Sequence, residues 1–156
     1  MFTTDITEDT ENSKFVVPIL PERKFAEINA SEYVKSYDGE NFAKVLSRYY
    51  AELRKIGITE IRLAELTGLQ KSTISAYLTG KRLPTLYSLA ALCIGMRLYY
   101  PRSLLLMRKA RLSLDEDSLK DRICQKYLIG CGFDVSLNVD SCNRELRENG
   151  LSELGR

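Results

Sequence analysis

The stretch EIRLAELTGLQKSTISAYLTG, residues 60–80, constrains this chain more than any other. Ala64, Gly68 and Ile74 stand at its fifth, ninth and fifteenth positions. Two helices joined by a short turn must cross closely, at roughly 90–120°. Ala64 falls at that crossing, where a larger side chain would push the helices apart. Gly68 suits a turn that needs positive φ, which a Cβ penalises. Leu63, Leu69, Ile74 and Tyr77 then supply an apolar wedge under both helices.

Charge is distributed unevenly around this stretch. Residues 1–40 hold four Lys/Arg against nine Asp/Glu, a net of −5. Residues 41–112 hold thirteen against three, a net of +10. Residues 113–156 hold six against nine, a net of −3. A basic middle lies between two acidic arms, and a basic segment of that density suits a polyanion.

Composition removes several classes of chemistry. The chain has no histidine, so the commonest general base and the usual serine or cysteine triads are missing. Cys93, Cys124, Cys131 and Cys142 form no C-x-x-C pair, which argues against a zinc site and for reduced, buried thiols. No metal, no cofactor and no enzymatic activity are expected. No apolar run approaches the roughly 20 residues that span a bilayer. The first residues, MFTTDITEDTENSK, lack the basic and apolar regions of a secretory signal, so the expected location is the cytoplasm.

Along the chain, residues 1–14 are polar, acidic and without periodicity, the pattern of disorder. FVVPILP at 15–21 is apolar but broken by Pro18 and Pro21, which restrict it to extended conformations. Residues 22–40 suggest a short helix and a turn at Asp38-Gly39. Phe42, Val45, Leu46, Tyr49, Tyr50, Leu53 and Ile56 follow the rhythm of one helix face, closed by Gly57. Thr59 offers an N-cap for the next helix, with Glu60 in its first turn. In the tail, Ser113 and Glu116 fit a capping box ahead of Leu119, Ile123 and Tyr127. Gly130-Cys-Gly132 breaks that helix; Asn138 or Asp140 starts another, which Asn149-Gly150 stops. No stretch alternates like a strand, so the expected fold is all-α.

The segment from about Phe42 to Met107 resembles the phage-repressor and Cro-type helix-turn-helix family, also called XRE-type. The landmarks are Leu53-Arg-Lys, Ile58-Thr59, Leu63-Ala64, Gly68, Ile74-Ser75, Gly80-Lys81-Arg82, Pro84 and Leu89-Ala90. The resemblance implies a five-helix, lambda-repressor-like domain whose third helix enters the major groove. Its helices would lie near 41–56, 60–67, 70–78, 86–95 and 101–110. The chain then divides into an acidic N-terminal arm (1–40), the DNA-binding domain (41–112) and a helical C-terminal extension (113–156) able to serve in dimerisation.

Carried onto this sequence, the base-contacting positions are Lys71, Ser72 and Ala76, with Thr73 and Ser75 beside them. Lys71 can donate to guanine O6 or N7, and Ala76 can touch a thymine methyl. Phosphate contacts fall to Gln70, Lys81, Arg82 and Arg62. Lys44, Arg48 and Lys55 suit a solvated helix face.

Two departures from the family stand out. The family usually has Gln, touching a phosphate, where this chain has Glu60; that contact is lost or reversed. Arg97-Leu-Tyr-Tyr-Pro101 replaces a small turn before the last helix, so that helix is open to displacement, and Leu104, Leu105 and Leu106 cannot all face one side. The expected function is sequence-specific binding of double-stranded DNA as a homodimeric transcriptional repressor or related regulator. The alternative is an antitoxin-like interaction module with weak or no DNA binding, whose acidic arms meet a protein partner.

Overall fold

A computed structural model describes residues 39–155, and every described element is helical. Seven helices follow in order: α1 (Phe42–Lys55), α2 (Glu60–Thr67), α3 (Lys71–Leu78), α4 (Leu86–Gly95), α5 (Tyr100–Lys109), α6 (Leu119–Gly130) and α7 (Val139–Glu148). No strand occurs among the described residues. The expectations for residues 1–38 lie outside them.

Local chemistry sets most helix boundaries. Asn41, Thr59 and Thr85 each have extended backbone, and each side-chain oxygen accepts an N–H from the first turn of its helix. Such a cap satisfies a donor that the helix itself leaves unpaired. The tail corrects one expectation. Ser113 does not cap α6; Ser118 does, accepting from the Asp121 N–H at 3.2 Å. Residues 113–118 instead wrap over the start of α6, because the Asp121 carboxylate accepts the Asp115 N–H at 2.7 Å. For α7 the cap is Asn138, which forms a reciprocal capping box with Ser141.

Helix α4 is the axis of the fold. Every residue from Leu89 to Gly95 is buried, and α2, α5, α6 and α7 all pack against it. Helix α1 lies against α3 and α5, burying the face anticipated from its periodicity, with Ile56 left exposed. One apolar core runs from Phe42 to Leu154 and includes Ile123, Cys124, Tyr127, Leu128, Val139, Cys142 and Leu146 from the tail. The leucine triplet divides as its spacing demands: Leu105 and Leu106 enter the core while Leu104 stays exposed.

Gly95 permits the closest approach. A Cβ there would stand 2.5 Å from the Thr67 methyl, so α4 reaches the end of α2 only because that position has no side chain. The cysteines are all free and buried. Burial pushes the Cys93 and Cys131 thiols up to about 12. Cys142 shares a hydrogen bond with Cys124 across α6 and α7 and keeps its proton well above the usual thiol range.

Arg97 joins the tail to the rest. It lies in the α4–α5 turn with φ +52°, the left-handed region, and is almost fully buried. Its N–H reaches the Ile94 carbonyl at 3.0 Å, and the Leu98 N–H reaches that of Cys93 at 3.1 Å. That is the helix-ending geometry usually given to glycine. Its guanidinium donates to the carbonyls of Cys131 (2.9 Å), Asp134 (3.0 Å), Val135 (2.6 Å) and Leu137 (3.4 Å). One side chain therefore ties four carbonyls of the α6–α7 connection to the α4–α5 turn. With this turn, α5 begins at Tyr100, one residue before the expected start.

Candidate nucleic-acid interface

The turn between α2 and α3 is built from Thr67, Gly68 and Leu69. The Thr67 hydroxyl donates to the Leu63 carbonyl at 2.8 Å and accepts the Leu69 N–H at 3.2 Å. Gly68 has φ +77°, and its N–H bonds to the Ala64 carbonyl at 2.9 Å. Leu69 then enters the core, which turns the chain sharply into α3. Ile74 and Tyr77 bury the inner side of α3, and the Ser47 hydroxyl holds its last carbonyl, that of Leu78, at 3.0 Å.

Helical geometry puts Lys71, Ser72, Ser75 and Ala76 opposite Ile74 and Tyr77. Lys71 and Ser72 are exposed, and Ser75 and Ala76 are half-buried. Thr73 falls on the flank, turned toward the side that carries Tyr77, and is half-buried. The structure thus gathers four of the five candidate base-contacting residues on one outward face and sets Thr73 at its edge.

The four candidate phosphate contacts occupy different settings. Gln70 is exposed at the N-cap of α3, and its side chain makes no capping bond. Lys81 and Arg82 are exposed just past Gly80, where both backbone N–H groups bond to the Ala76 carbonyl, at 2.9 and 3.3 Å. The Arg82 guanidinium lies 5.7 Å over the Tyr77 ring. Arg62 is tied to Glu65 at 2.6 Å, which offsets its charge locally.

Three features were not visible in the sequence. The Ser75 hydroxyl donates to the Glu60 carboxylate, joining the start of α2 to the outward face of α3. Arg97 and Arg102 are buried, so they count in the basic middle of the chain but not in its surface. Arg102 pairs with Glu52 at 3.0 Å and lies 4.5 Å over the Tyr49 ring. Nothing in their local sequence distinguishes these arginines from solvated ones, because their partners are remote in the chain.

Two short helices at a tight glycine turn, the second presenting a polar face flanked by cations, define a helix-turn-helix module. Residues 50–97 match the family model described as helix-turn-helix. Over that segment the chain is similar to helix-turn-helix domains of the XRE type. No curated protein and no solved structure matches the chain. Among the described residues, no helix is long and apolar enough to cross a membrane.

Proposed function

We propose that this protein is a cytoplasmic transcriptional regulator, a repressor in the simplest case, that binds double-stranded DNA sequence-specifically with α3 in the major groove. The observation that carries this proposal is the outward face of α3. Lys71, Ser72, Ser75 and Ala76 are turned away from the core, with exposed Lys81 and Arg82 beyond the end of the same helix. Lys71, Ser72, Ser75 and Ala76 contact base edges, with Thr73 at the margin. Gln70, Lys81 and Arg82 hold phosphates and fix the register. Arg62, already paired with Glu65, contributes least among the phosphate contacts.

One module with few base contacts discriminates weakly, so the active species is a homodimer on two half-sites about 34 Å apart, or a multiple of that. Selection of bound oligonucleotides from a random duplex pool tests the proposal. An inverted repeat with one-turn spacing is the expected product. Two cation–phosphate pairs per protomer give the dimer a slope of about −3.6 in log affinity against log salt. A pool that yields no enriched sequence, with no salt-sensitive binding, would overturn it.

A further inference from the structure

We propose that Glu60 and Ser75 act as one acceptor-only unit on the DNA-facing surface, so that Glu60 sets base specificity and limits affinity. The inference deepens the DNA-binding proposal above and rests on it. Glu60 is the first residue of α2, and its carboxylate accepts the hydroxyl of Ser75, on the outward face of α3. Ser75 lies one turn from Lys71 and beside Ser72 and Ala76. Both Glu60 and Ser75 are half-buried, so the pair forms part of the surface rather than of the core.

Two consequences follow from the chemistry of the bond. A serine hydroxyl has one donor hydrogen, and here it is engaged by the carboxylate. Toward DNA the hydroxyl presents only lone pairs, and the carboxylate has no donor at all. The unit therefore accepts from an exocyclic amino group, cytosine N4 or adenine N6. It is mismatched against guanine O6 and N7 and against thymine O4, which are themselves acceptors. Lys71, which is donor-only, supplies the complementary preference one turn earlier on the helix. The second consequence is electrostatic. A unit negative charge about 7 Å from a phosphate weakens binding about threefold in a water-like dielectric, and more where water is excluded. That effect is the same on every sequence.

The test uses the full chain and the variants Glu60→Gln, Ser75→Ala and their combination. Each is titrated by fluorescence anisotropy across a salt series and put through duplex selection, with circular dichroism confirming the fold. A glutamine side chain retains an acceptor for Ser75 and adds an N–H donor. E60Q is therefore expected to bind all sequences about 3- to 10-fold tighter and to admit guanine or thymine at one base pair of each half-site. S75A alters preference at that same base pair, and its effect shrinks in the E60Q background, because the two residues act together. A wild-type chain that selects a defined sequence, with E60Q selecting the same sequence at the same affinity, overturns the inference and leaves DNA binding intact. A shift in preference at different base pairs for E60Q and S75A also overturns it. A wild-type chain that binds no duplex removes the DNA-binding proposal itself, and the inference with it.

Discussion

Replacing Arg97 by alanine should be among the most damaging single changes outside the apolar core. The guanidinium donates to four backbone carbonyls in residues 131–137. Cys131 is fully buried, so its carbonyl would be stranded, at about 1–3 kcal/mol. Asp134 is exposed and Val135 and Leu137 are half-buried, so water can reach their carbonyls. Those three then lose only the net value of a hydrogen bond, about 0.5–1.5 kcal/mol each. The total is about 2.5–7.5 kcal/mol, a large share of the roughly 5–15 kcal/mol typical of a domain.

The backbone supplies an internal control. Arg97 is left-handed at φ +52°, and alanine inherits that strain while glycine does not. R97G should therefore be about 1 kcal/mol more stable than R97A. R97K keeps a charge but loses the planar fork, and should fall between the wild type and R97G. Urea denaturation followed by circular dichroism measures the order. Hydrogen exchange should quicken first at 131–139. An R97A loss below about 1 kcal/mol would refute the role of the guanidinium, and equal stabilities for R97A and R97G would refute that of the turn.

Further outcomes follow from the interface and the packing. Lys71→Ala should relax preference at one base position at a cost of about 1–3 kcal/mol, whereas Lys81→Ala should weaken all sequences equally and flatten the salt slope; equal effects from both would contradict their assignment to base and phosphate. Gly95→Ala should destabilise by about 1–3 kcal/mol, since the new methyl meets the Thr67 methyl at 2.5 Å; a neutral result in thermal denaturation would show that α2 and α4 can separate freely. Tyr87 and Tyr127 are raised to about 12, first by burial and then by donating to Asp121 and Glu145. A raised phenol stabilises the fold fully below pH about 10, and that contribution disappears as pH climbs from 10 through 12. Absorbance titration should show late-ionising tyrosines, and Y87F should have one fewer; a single ordinary transition near 10 would count against these contacts.

Much of the helical fold was legible in the sequence because its determinants are local. Helix α1 shows its buried face in the spacing of Val45, Leu46, Tyr49 and Tyr50. The turn at Thr67-Gly68-Leu69 is fixed by a left-handed glycine and bonds that span two to four residues. The outward face of α3 follows from helical geometry once Ile74 and Tyr77 are placed inside. Ser113 misled because a capping pattern is a local competition, which Ser118 wins once Asp121 has captured the Asp115 N–H.

What the tertiary structure alone decided has a common physical cause: the partners lie far apart in sequence. Arg97 meets carbonyls 34 to 40 residues away, Tyr87 meets Asp121 34 residues away, and Glu60 meets Ser75 15 residues away. No periodicity or spacing records such pairs, because they depend on how helices cross rather than on how each one repeats. Local spacing and local bonds therefore set the module, its turn and its outward helix. Packing decided which arginines leave the surface, which glycine must stay bare, and that a carboxylate holds one of the hydroxyls on the outward face.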